Sequence, residues 1–132
     1  MKYKYLLHDA IINDIFCNDD GIDLFFEKGV YIVNEQGKEA ELSGPCKMRI
    51  KLPFFDSNKM FQFITVTKIK KSTISDIEFA DFLKLLRKYT FRIYIDYYSF
   101  FGASVLLIGD CGENEIHLTI TDIDKVEYIF ER

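Results

Sequence analysis

Cys46-Lys47-Met48-Arg49-Ile50-Lys51-Leu52 alternates apolar and basic side chains without a break. Neighbouring side chains of a strand point to opposite faces, so this run puts Cys46, Met48, Ile50 and Leu52 on a core and its three cations in water. A helix needs apolar residues every three or four positions, which this stretch lacks. The same period of two recurs outward from it. Ile22, Leu24 and Phe26 are separated by Asp23 and Phe25, and Phe91, Ile93 and Ile95 by Arg92 and Tyr94. Ile116, Leu118 and Ile120 alternate with His117 and Thr119, and Val126, Tyr128 and Phe130 with Glu127 and Glu131. One buried and one solvated face per strand is the pattern of antiparallel sheets.

Turn-forming residues punctuate these runs at 18–21, 28–29, 34–37, 43–45, 56–58, 110–112 and 121–124. Their spacing of roughly 8–15 residues suits a meandering sheet, sandwich or barrel. The turn at 18–21 predicts a hairpin between 11–17 and 22–27, and 109–114 predicts another between 104–108 and 115–121. From 77 to 88 the period changes: Phe79, Phe82, Leu83 and Leu86 recur at helical spacing. Ser75 with Glu78 forms a capping-box pattern, and Arg87 and Lys88 suit the negative end of the helix dipole. The predicted fold is therefore α+β, mostly β. It is a single domain over 1–132, an antiparallel sandwich or strongly bent sheet of about eight or nine strands with one helix at about 75–88.

The chain has 132 residues, 48% hydrophobic and 29% charged, enough for a packed core without metal or disulfide support. A net charge of -4 and a sequence pI of about 5.2 argue against a nucleic-acid partner, which selects for excess Lys and Arg. The opening apolar stretch stops at His8, short of the ~7–15 residues of a signal-peptide core. The run from Tyr97 to Ile108 is interrupted by Ser99, Gly102 and Ser104, short of the ~18 residues of a membrane span. These features predict a cytoplasmic protein with no membrane partner.

The three cysteines, Cys17, Cys46 and Cys111, are odd in number and widely spaced, with no C-x-x-C pair. Cys17 and Cys46 read as buried thiols, and Cys111, in a Gly-Asp-Cys-Gly turn, as an exposed one. The sequence supplies no local set of metal ligands, no calcium-loop spacing, no phosphate loop and no nucleophile elbow, so no cofactor, metal or catalytic residue is assigned. His8-Asp9 has no matching nucleophile nearby in sequence, and His117 reads as a solvent-side strand residue.

Charge is segregated along the chain. Residues 1–46 carry net -5, residues 47–71 net +6 (7 basic, 1 acidic) and residues 72–132 net -5. If the strands at 47–51 and 68–70 pair, one sheet face is basic; Lys47, Arg49 and Lys51 then either guard an edge strand or bind an acidic partner. Asp19 and Asp20 in the 18–21 turn, together with the 110–115 loop, offer acidic contacts to a basic one. Aromatics reach 16%, with 13 Phe and 8 Tyr. Tyr97, Tyr98, Phe100 and Phe101 cannot all face inward, so they form either an exposed interface patch or a second core under the helix.

Leu7-His8-Asp9-Ala10-Ile11-Ile12, an acidic turn, and the strand Gly21-Ile22-Asp23-Leu24-Phe25-Phe26-Glu27 together resemble the N-terminal hairpin of small bacterial proteins that begin hydrophobic-His-Asp-x-x-Ile. Some of these resemble immunity proteins of polymorphic toxin systems. The resemblance covers residues 5–31 and implies action by binding, with a toxin as partner and no catalytic residue. The expected function is thus a non-catalytic protein-binding module, an immunity protein that blocks a cognate toxin. The alternatives are a self-associating homodimer using the 97–101 patch and, third, a small enzyme or ligand-binding barrel with a pocket lined by His8 or His117.

Overall fold

The computed structural model describes residues 4–33, 41–53, 56–99 and 103–131, with only the backbone of Lys4, Ser57, Met60 and Phe61. The strands are β1 (Lys4–Leu6), β2 (Ile11–Ile12), β3 (Asp14–Cys17), β4 (Gly21–Phe26), β5 (Tyr31–Val33), β6 (Glu41–Leu42), β7 (Cys46–Lys51), β8 (Ile64–Lys70) and β9 (Thr73–Ile77). After helix α1 (Phe79–Tyr89) come β10 (Phe91–Ser99), β11 (Ser104–Cys111), β12 (Asn114–Ile120) and β13 (Lys125–Phe130); a 3-10 segment (Ser57–Gln62) precedes β8. All strand pairs are antiparallel. They form a six-stranded sheet in the order β2-β10-β11-β12-β8-β9, a four-stranded sheet β13-β7-β4-β3, and a small sheet β1-β5-β6. The chain is mostly β with one α-helix, as the alternation predicts.

The two larger sheets enclose the core. On the four-stranded sheet the rows Ile22–Ile50–Val126, Leu24–Met48–Tyr128 and Phe26–Cys46–Phe130 share one face. Facing residues of the six-stranded sheet include Ile93, Leu107, Leu118 and Val66, all buried. Full burial of such side chains contributes about 1.5–3 kcal/mol each. The chain changes sheets at Asn13, whose N–H donates to the Phe25 carbonyl (2.8 Å) and whose Oδ1 accepts from the Glu27 N–H (2.8 Å).

The sandwich is closed between its layers in two ways. Helix α1 packs against β3 of one sheet and β8 and β11 of the other. Its Phe82 and Leu86 are fully buried, and the Phe82 ring meets Phe91 edge to face at 5.8 Å. Tyr5 packs at a tilt on Tyr128 at 4.7 Å and on Phe130 at 5.3 Å, and the Tyr98 and Tyr128 hydroxyls are hydrogen-bonded to each other.

Four expectations are corrected. The helix does not begin at Ser75. That residue lies in β9 opposite Lys68, the helix starts at Phe79, and its N-cap Glu78 makes no side-chain cap bond. β8 and β9 form a hairpin through Lys71 (φ 49°) and Ser72 (φ 68°), a two-residue turn with both central residues left-handed, and its ladder outweighs the capping box. Ile95 leaves the core. The β10–β11 register shifts between Ile93 and Ile95, so the extra residue turns Ile95 outward at 53% exposure. Cys17 is exposed, because it ends an edge strand, whereas Cys111 is buried by the β11–β12 hairpin. Cys46 is buried as expected.

Candidate protein-binding surfaces

Three surfaces carry the candidate residues. On the outer face of the four-stranded sheet, Lys47, Arg49 and Lys51 sit on β7, which is paired on both sides. They therefore guard no edge. Neither do they join Lys68 and Lys70, which belong to β8 in the other sheet. Cross-strand neighbours offset the charge of Arg49 and Lys51, whereas Lys47 lies between Phe25 and Ile129. Arg49 forks onto Asp23, Nε to Oδ1 at 2.9 Å and a terminal nitrogen to Oδ2 at 3.1 Å, and Asn18 donates to the same carboxylate at 3.1 Å. Asp23 is only 6% exposed, and its hydrogen bonds and charge hold the Arg49 guanidinium firmly protonated. Lys51 and Lys125 flank Glu127 at 3.5 and 3.3 Å; the hydrogen bond from Lys125 is the main cause of the lowered Glu127 pKa. The face is an alternating ion-pair row rather than a basic patch.

The 18–21 turn presents Asp19 and Asp20 to solvent. The Asp20 N–H is held by the Asn18 side chain at 2.8 Å, and the Asp20 carbonyl accepts from Leu52 at 2.8 Å. Both carboxylates belong to a rigid hairpin at one end of the four-stranded sheet.

The outer face of the six-stranded sheet is the third surface. Tyr97 (63% exposed) lies on it beside Leu106, and Ile95 beside Ile108, in the register of β10 and β11. The rows continue through Thr119 and Thr65, and through His117, Thr67 and Asp76. Tyr98 points to the other side, toward Tyr128, and is 42% exposed; burial raises the pKa of both phenols. The alternation argument thus holds for this pair. Phe100 and Phe101 lie outside the described residues. Comparison of the chain with protein-family models, curated proteins and solved structures finds no match. Function must therefore be argued from these surfaces.

A polar chain pins β10 at its register shift. The His8 ring is hydrogen-bonded to the Tyr94 carbonyl and pairs with Asp9, which also takes Arg92 at 3.3 Å. The Tyr94 hydroxyl donates to Asp110 at 2.7 Å, a bond that raises the Tyr94 pKa. His117 contacts Glu115 at 2.7 Å. Neither histidine lines the 770 Å³ cleft beside α1, whose walls include Cys17, Val66, Ile77, Phe79 and Leu83. Among the described residues, no three or more His, Cys, Asp or Glu side chains converge as metal ligands, and no helix is long and apolar enough to cross a membrane.

Sequence reasoning missed Ile95, Leu106 and Ile108. The β11 run Val105-Leu106-Leu107-Ile108 is apolar on both faces and reads as a doubly buried strand. Only the arrangement of layers leaves one of those faces uncovered.

Proposed function

We propose that the chain is a non-catalytic protein-binding module that engages its partner through the outer face of the six-stranded sheet. The observation that carries this reading is the clustering of exposed apolar side chains. Tyr94, Ile95 and Tyr97 are neighbours on β10, each at least 39% exposed, with Leu106 and Ile108 alongside two of them. Contiguous apolar surface of this kind marks interaction sites, and tyrosines supply rigid contact area with a polar tip. On the same face Asp76, Asp110 and Glu115 outnumber Arg92, which lies opposite Asp110, so it favours a partner whose contact surface is basic around an apolar centre. The narrower reading, an immunity protein that neutralises a bacterial toxin in the cytoplasm, rests on the resemblance of residues 5–31.

A photoreactive residue in place of Thr65, on this face, should give a discrete heterologous adduct in the native cell. The same residue in place of Lys47, on the opposite outer face, should not. Equal adducts from both positions, or none from Thr65, would defeat the reading.

A further inference from the structure

We propose that β10 is also a self-association edge, pairing antiparallel with β10 of a second copy of this chain to extend the six-stranded sheet across a two-fold axis. β2 covers β10 only at Phe91 and Arg92, and Ile93 closes the contact with its N–H to Ala10 and its carbonyl to Asp9. Beyond the His8 contact with the Tyr94 carbonyl, the described residues supply no strand on that side of β10. With the extra residue at the register shift, alternation aims the N–H and C=O groups of Asp96 and Tyr98 along this open side. An edge of this kind is a template for another strand.

The local sequence favours one register and one occupant. A two-fold centred on Tyr97 sets Tyr97 against its own copy and Asp96 against Tyr98. Four main-chain hydrogen bonds then form between the Asp96 and Tyr98 pairs. Tyr97 becomes a non-hydrogen-bonded pair, the closer kind, where two aromatic rings stabilise a sheet. Centring on Asp96 instead would oppose two carboxylates, which is destabilising. Tyr97 and Ile95, the two most exposed large hydrophobic residues of the strand at 63% and 53%, lose solvent on one face. No lysine lies on β10 to block such pairing, whereas Lys70 and Lys71 stand at the turn that opens the other edge strand, β9. Pairing uses the edge of β10 and leaves Leu106 and Ile108 open; it shares Tyr97 and Ile95 with the proposed partner surface, but sedimentation of the pure chain and cross-linking from Thr65 read the two separately.

Sedimentation equilibrium of the full chain over a dilution series should show a monomer–dimer equilibrium. Tyr97→Asp, which places two carboxylates at the two-fold, should weaken association about tenfold or more while leaving the circular dichroism unchanged. In a Cys17→Ser background, Tyr97→Cys should form a disulfide dimer on mild oxidation, because the paired α-carbons lie about 4.5–5.5 Å apart. Ile74→Cys, at 69% exposure on β9, provides the collisional control. A wild type that is monomeric at every concentration overturns the proposal. So does a dimer that folded Tyr97→Asp leaves intact, or a Tyr97→Cys that links no faster than Ile74→Cys; should Tyr97→Asp fail to fold, the cross-linking comparison decides.

Discussion

Gly109 lies so close to the Arg92 carbonyl that a β-carbon on it would sit 1.9 Å from that oxygen. The contact falls where the β10–β11 register shifts, and it lets the two backbones approach around the extra residue Tyr94. The glycine on β11 thereby sets which way Ile95 and Tyr97 face on β10. Gly109→Ala must push β10 away, since the obstructing atom is main chain. It should destabilise the fold by about 1–3 kcal/mol or more, read from urea denaturation, and should lower the exposure of Tyr97 to surface-labelling reagents. An unchanged midpoint would mean that the register shift does not depend on this approach.

Helix α1 holds the two layers through Phe82 rather than through its N-terminal cap. Phe82→Ala should cost about 3–5 kcal/mol by leaving a cavity against Phe91. Ser75→Ala should stay within about 0.5 kcal/mol, because Ser75 is a strand residue and caps nothing. A loss at Ser75 comparable to that of a helix cap would restore the earlier helix start.

How far the sequence could be read follows from how local each signal is. The 46–51 alternation held residue for residue, since one face meets the core and the other the charge row. The helix was legible in its apolar stripe but not in its start. The left-handed turn at Lys71-Ser72 lacks the Asn-Gly or Asp-Gly pair that announces such turns, so the β8–β9 hairpin went unseen and the capping box took its place. Ile95 was misassigned because its direction depends on Gly109, across the sheet. The charge segregation was real in the chain but not on the surface: Asp23 and Glu127, from distant segments, flank Arg49 in the register. For the candidate surface, Tyr97 was legible because adjacent aromatics cannot share a face. Leu106 and Ile108 were not, since nothing in an apolar run tells which side a second layer will cover.

The Asp23–Arg49 fork makes a further prediction. Arg49→Ala leaves a carboxylate that is 6% exposed with Asn18 as its one remaining side-chain partner among the described residues. The Arg49 side chain itself is 36% exposed, so solvent screening reduces the loss, but Arg49→Ala should still lower the urea midpoint. Removing both partners as Asp23→Asn with Arg49→Met should recover part of it, because no isolated charge is then buried. Stabilities of Asp23→Asn, Arg49→Met and the double variant form the cycle. Strict additivity would show that the fork contributes nothing beyond its separate groups.

Alkaline pH should weaken the fold through Cys111. Burial pushes its thiol up to about 11 from an ordinary 9.0. The folded state therefore keeps a proton that the unfolded chain releases once pH passes about 9. The stabilisation linked to this proton is complete below the unfolded value and is lost as pH climbs through the folded one. The window thus runs from about 9 to about 11, and the loss is of order 2 kcal/mol. Tyr98 and Tyr128, also raised by burial, act in the same direction at higher pH. Cys111→Ala removes the thiol for a modest packing cost at every pH. Its urea midpoint should start below that of the wild type at neutral pH and fall less steeply above about 9, so that the two profiles converge. Parallel profiles would show that the alkaline loss arises elsewhere, and Tyr128→Phe would then be the variant expected to flatten the curve.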